Sequence, residues 1–137
     1  MSFKLAIIGA GYIAEEHLKA VDLVEGLEVD LIYSRTSLKA SSLAKKFSIK
    51  HVVTELDSFI NLAKELDGIL ITVSAENMFK ICNDLLPLKI PLFIEKHLIQ
   101  HHQSLKNFPR IGGKEDFKHI NSLNFFLKNI KLNIKKT

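Results

Sequence analysis

The sequence predicts an α/β domain built on a doubly wound parallel sheet, and three observations predict it. Short apolar runs alternate along the chain with segments of helical periodicity. Capping and turn residues punctuate the boundaries between them. The first apolar run also passes directly into a glycine-containing loop that opens a helix. A chain of 137 residues, 47% hydrophobic and 25% charged, is long enough for one domain with a core of its own.

Each element has its own justification. Residues 3–8, Phe-Lys-Leu-Ala-Ile-Ile, are almost continuously apolar, as a strand covered on both faces must be. Over residues 12–25, Ile13, Leu18, Val21 and Val24 recur at helical spacing, and Gly26 supplies a stop. Residues 27–33 form the second strand. Thr36 or Ser37 caps a helix running to about Phe47, and residues 49–53 form the third strand. Asp57 or Ser58 caps a helix through residue 66, residues 68–73 form a buried strand, a helix occupies roughly residues 76–86, and residues 91–95 close the series. Strands and helices in this rhythm imply right-handed crossovers.

The domain is expected over residues 1–106. Residues 107–137 form a basic tail in which 19 of 31 residues are Lys, Asn, Ile or Phe. Residues 123–134 fit a helix, but the tail's pattern supplies no further strand, so it is expected to be irregular or helical.

Charge is unevenly distributed. The formal net charge of +4 divides into −2 over residues 1–96 and +6 over residues 97–137. The tail carries neither a nucleic-acid motif nor a ladder of aromatic residues, so no nucleic-acid partner is expected. No apolar run approaches the length of a membrane span, and no leader precedes the first strand, so the expected location is the cytoplasm, without a membrane partner. The single cysteine, Cys82, falls in a helix and is expected to be a small buried apolar residue.

The loop Gly9-Ala10-Gly11-Tyr12-Ile13-Ala14 carries the chemistry. A pyrophosphate needs donors, and the free N–H groups at a helix N-terminus provide them, reinforced by the helix dipole. Gly9 allows the tight turn off the strand, Gly11 removes a Cβ that would meet the phosphate, and Ala14 is the small residue where helix packs on strand. An ordinary strand-to-helix turn would also use glycines. The strand before, the helix after and a second strand at the right distance make this loop the first half of a Rossmann-like dinucleotide site.

The second half is the end of the second strand. An acidic residue there would bond the ribose hydroxyls of NAD, but this chain has Tyr33-Ser34-Arg35-Thr36, and Asp30 lies too early in the strand. A hydroxyl and a guanidinium suit the 2′-phosphate of NADP, with Lys39 one helical turn on. The cofactor is therefore read as NADP or NAD, with NADP favoured.

These residues resemble the Gfo/Idh/MocA oxidoreductases, named after glucose-fructose oxidoreductase and inositol dehydrogenase. The resemblance rests on the Gly9-x-Gly11-x-x-Ala14 loop with His17 beyond it, on Ser34-Arg35, on Asp67-Gly68-Ile69-Leu70-Ile71-Thr72, and on Glu95-Lys96. It runs from Lys4 to about Leu105. It implies hydride transfer between a sugar-like or cyclitol alcohol and a nicotinamide cofactor. By that resemblance Lys96 is the catalytic lysine, an ammonium that orients the alcohol and supports proton transfer, with Glu95 beside it. Thr72 and Ser74 are expected to contact the cofactor.

The sequence departs from the family pattern in three places. His97 replaces the proline after the lysine, and the stretch Val73-Ser74-Ala75-Glu76-Asn77-Met78-Phe79 lacks the family's proline and histidine. The family's C-terminal substrate domain has no counterpart here, so the chain reads as a truncated oxidoreductase or a reduced relative. The alternative reading is a nucleotide-binding module without turnover. A small sugar-like substrate would require the second domain, and the apolar surface such a domain covers would lead either to self-association as a homo-oligomer or to instability. His97, His101 and His102 cluster in sequence, with His119 further on, but adjacent histidines on a helix point in different directions and no cysteine stands near them, so no metal is expected.

Overall fold

The computed structural model describes residues 2–94 and 120–121. The element order is β1 (Phe3–Ile8), α1 (Tyr12–Asp22), β2 (Leu27–Tyr33), α2 (Ser37–Phe47), β3 (His51–Val53), α3 (Leu56–Ala63), β4 (Gly68–Ile71), α4 (Ala75–Leu85), a 3-10 turn (Leu86–Leu88), β5 (Leu92–Ile94) and β6 (Ile120–Asn121). All pairings are parallel, in the order β3-β2-β1-β4-β5-β6. The order reverses direction between β1 and β4, and that is where an open α/β sheet leaves a crevice beyond its strand ends.

Two cores flank the sheet. On one face, Leu5 and Ile7 of β1 pack with Ala14, Leu18 and Val21 of α1 and with Ala40, Leu43 and Ala44 of α2. On the other, Ala6 and Ile8 pack with Phe59 and Ala63 of α3 and with Met78, Cys82 and Leu85 of α4. Successive β1 side chains thus go to opposite cores, which is why the strand is apolar at nearly every position.

β2 keeps this alternation only with a correction built in. Leu5 lies opposite Val29 but Ala6 lies opposite Leu31, so Asp30 is an extra residue in the ladder. The bulge reverses the parity of the later β2 residues: Val29 and Ile32 share one core, while Leu31 and Tyr33 join the other. Asp30 itself is 9% exposed and faces Lys4 Nζ at 3.7 Å and Lys50 Nζ at 4.0 Å.

Several boundaries differ from the sequence expectation. α1 ends at Asp22, because the Leu23 and Val24 N–H groups turn back to Ala20 and Val21, and Gly26 (φ +83°) serves the turn into β2. β3 begins at His51 because Ile49 donates its N–H to the Ala44 carbonyl at 2.9 Å, closing α2 behind a left-handed Ser48. α3 starts behind Glu55, ahead of the expected caps, and ends at Ala63. β4 stops at Ile71, level with the end of its partner β1.

The tail contributes β6, in parallel register with β5 (Leu92 to Ile120, Phe93 to Asn121). The expectation of no further strand is corrected there, since two residues are too few for alternation to register in a sequence. Glu95, Lys96, His97, His101, His102, His119, Phe125 and Phe126 lie outside the described residues.

Candidate functional site

Where β1, β2 and β4 end, a cleft of about 290 Å³ opens. The glycine loop forms its floor. Gly9 has φ +112°, a conformation side chains rarely adopt, and a Cβ there would run into the Thr72 side chain and come within 3.3 Å of its carbonyl. The Gly9 N–H donates to the Tyr33 carbonyl at 2.8 Å, so the loop is tied to the end of β2. Thr72 ties it to β4: the Thr72 N–H and hydroxyl both donate to the Ile8 carbonyl, at 2.9 and 2.7 Å.

Gly11 is different. Its φ is −89°, and a Cβ built on it meets no atom within 4 Å. It is the N-cap of α1 and provides no side-chain cap for the first-turn N–H groups. Protein packing therefore does not require glycine at position 11. The open space lies against the first-turn N–H groups of α1, a donor set whose chemistry fits a diphosphate.

The rim along β2 is cationic. Arg35 and Lys39 line it with Ser34 and Thr36, and no carboxylate is in the lining among the described residues. The Ser34 hydroxyl accepts the Thr36 N–H at 3.2 Å and lies 3.2 Å from the Thr36 hydroxyl, which sets the turn carrying Arg35. Among the described residues neither Arg35 nor Lys39 has a carboxylate partner. Asp30 is absent from the lining, held by Lys4 and Lys50.

The cleft brings together Gly9, Ala10, Gly11, Ser34, Arg35, Lys39, Thr72 and Ser74 from the sequence-predicted set. Tyr12, 76% exposed, and Ile13 are not in its lining, because the first helical turn directs them elsewhere and leaves only their backbone near the loop. Four lining residues were not anticipated: Tyr33, Thr36, Val73 and Asn77. Asn77 had a readable signal, since Ser74-x-x-Asn77 is the N-cap-to-N3 spacing at which side chains of a first turn meet. Cys82 is buried in α4 at 2% exposure, and burial pushes its thiol up to about 12. No group of three potential metal ligands occurs among the described residues.

Residues 3–111 match the sequence model of Gfo/Idh/MocA proteins, described as "Oxidoreductase family, NAD-binding Rossmann fold". The chain belongs to the Gfo/Idh/MocA oxidoreductase family. Solved structures agree on the fold. A myo-inositol dehydrogenase from Corynebacterium glutamicum superposes with TM-score 0.73 at 20% identity, covering 88% of this chain and 35% of that one. An oxidoreductase from Agrobacterium radiobacter, in complex with NAD+, L-tartaric acid and magnesium, gives TM-score 0.71 at 18% identity over 81% of this chain and 32% of that one. In sequence, 53 residues are 36% identical to 4-carboxy-2-hydroxymuconate-6-semialdehyde dehydrogenase from a Sphingobium strain, covering 39% of this chain and 17% of that protein. This Gfo/Idh/MocA chain therefore spans about a third of the length of those solved structures. No helix among the described residues is long and apolar enough to cross a membrane.

Proposed function

We propose that the chain binds NADP(H) in the cleft at the ends of β1, β2 and β4, as the cofactor-binding part of an oxidoreductase acting on a sugar-like or cyclitol alcohol. The observation that carries this reading is the pairing of an open Gly11 with a rim that has Arg35 and Lys39 and, among the described residues, no carboxylate. The first-turn N–H groups of α1 receive the diphosphate, and Ala10 and Ala14 keep the loop small enough for close approach. Arg35, with the Ser34 hydroxyl and Lys39, meets a 2′-phosphate, for which a planar guanidinium is suited.

When bound, the nicotinamide accepts or delivers the hydride. Directly after β5, Lys96 is proposed to serve the alcohol, with Glu95 beside it on the cofactor side. The Lys96 ammonium orients its oxygen and stabilises the charge that develops as the proton leaves. The expected setting is the cytoplasm.

Calorimetric titration of the whole chain with NADPH and NADH tests the proposal. NADPH is expected to bind more tightly, and Arg35→Ala should erase that preference by losing roughly tenfold for NADPH alone. No binding of either dinucleotide sinks the site. Unchanged preference in Arg35→Ala removes the NADP assignment.

A further inference from the structure

Ile8 is the last residue of β1, so its carbonyl oxygen is the last acceptor the strand sets before the glycine loop. A carbonyl oxygen has two lone pairs. Both are met from the end of β4, where the Thr72 N–H donates at 2.9 Å and the Thr72 hydroxyl at 2.7 Å. Thr72 and Gly9 line the cleft, so this acceptor is satisfied at the edge of the space a ligand enters. The charge matters there. An unmet carbonyl carries partial negative charge, which opposes an anion and competes with it for the first-turn N–H groups of α1.

The Thr72 hydroxyl oxygen also occupies the place a Cβ on Gly9 would take. Gly9 is thereby held by Thr72, by its bond to the Ile8 carbonyl carbon and by its own N–H, which donates to the Tyr33 carbonyl at 2.8 Å. A methyl group cannot replace the hydroxyl in this arrangement. Carbon–oxygen contacts settle at about 3.3–3.6 Å, well beyond the 2.7 Å of the hydrogen bond. Thr72→Val would therefore press on the Ile8 carbonyl and shift the Gly9 nitrogen bonded to it, whereas Thr72→Ala would only leave one lone pair unmet.

We propose that Thr72 is a positioning residue for the diphosphate, its hydroxyl acting on the ligand through the Ile8 carbonyl and Gly9 and not by touching the nicotinamide half. This rests on the dinucleotide reading above. The whole chain and its Thr72→Ser, Thr72→Ala and Thr72→Val variants are titrated calorimetrically with NADPH, and ADP affinity is read from its competition with NADPH. Urea unfolding identifies the variants that are folded under those conditions. Thr72→Ser, which keeps the donor, should stay within about twofold of the native chain, while Thr72→Ala loses roughly threefold and Thr72→Val roughly tenfold. The losses should be equal for ADP and NADPH, since both carry the diphosphate. A residue that merely fills space would give the opposite order, because alanine removes more volume than valine. Losses larger for Thr72→Ala than for Thr72→Val, losses confined to NADPH, or unchanged affinity in both overturn the assignment while native binding leaves the dinucleotide site standing. If Thr72→Val does not fold, Thr72→Ala against Thr72→Ser on ADP decides the matter: equal affinities overturn the role of the hydroxyl. Absence of native NADPH binding would overturn the dinucleotide reading itself.

Discussion

Thr72 donates to the carbonyl of Ile8 twice, through its backbone N–H at 2.9 Å and through its hydroxyl at 2.7 Å. This clamp joins the ends of β4 and β1 at the point where Gly9 leaves the sheet. It also commits the Thr72 hydroxyl hydrogen to the fold, so toward the cleft Thr72 offers only acceptor lone pairs. The glycine loop is consequently held from both sides, by Thr72 and by the Tyr33 carbonyl.

The two loop glycines should separate stability from binding. Gly9→Ala must adopt a positive φ and press on Thr72, and it is expected to cost about 3 kcal/mol in urea unfolding. Gly11→Ala has ordinary backbone geometry and open space, so its stability should change by less than about 1 kcal/mol. Its NADPH affinity should nevertheless fall by roughly tenfold or more, because the new methyl occupies the ligand's space. A Gly11→Ala chain that binds NADPH normally would contradict the diphosphate assignment.

Asp30 is predicted to serve the sheet and not the cofactor. Its carboxylate lies between Lys4 and Lys50 at the β2 bulge, away from the cleft. Asp30→Asn should lower stability by about 1 kcal/mol while leaving the NADPH-to-NADH affinity ratio unchanged. A shift in that ratio would show that the acid reads the ribose after all.

The contact between α1 and α2 should be visible in the acid limb of stability. Lys46 Nζ donates to Glu15 Oε1 at 2.5 Å, and this hydrogen bond, followed by the attraction of the same ammonium, holds the Glu15 carboxyl below its ordinary value of 4.5. The folded form therefore keeps this carboxylate ionised at pH values where the unfolded form takes up a proton. Its contribution is complete above 4.5 and disappears as the pH falls through the lowered value. Native chain and Glu15→Gln should differ in denaturant midpoint at neutral pH and converge in acid, with the difference reduced by salt. A pH-independent difference would argue against the ion pair.

Cys82 should be inert in the folded protein. Burial against α4's neighbours raises its thiol from 9.0 to about 12, so almost no thiolate exists at neutral pH. A thiol reagent such as dithionitrobenzoate is expected to react at the unfolding rate and not before. Because the folded value is raised, its linkage to stability is neutral below 9.0 and becomes destabilising as the pH climbs from there toward 12. Rapid labelling under native conditions would contradict the burial.

The β-α rhythm, the strands Phe3–Ile8 and Leu27–Tyr33, the helix Ser37–Phe47 and the glycine loop were legible in the sequence. Each depends on local rules: apolar continuity for strands covered on both faces, helical spacing, and glycine where the backbone must turn. The adjacency of Ser34, Arg35 and Lys39 to that loop was also legible, because a doubly wound sheet brings the ends of β1 and β2 together. Other features arise from contacts between segments far apart in the chain. Position 30 becomes a bulge only because Ala6 pairs with Leu31, β3 starts late because Ile49 is captured by Ala44, and β6 exists only as an added edge on β5. Sequence periodicity does not encode such long-range register. The exclusion of Asp30 from the cleft was legible in its early place in the strand and the nearness of Asn77 to Ser74 in their spacing, but that Val73 and Asn77 share one cleft with Arg35 and Lys39 was decided by the tertiary structure: a strand or helix pattern says which residues are neighbours on one element, and only the packing of elements says which empty space they share.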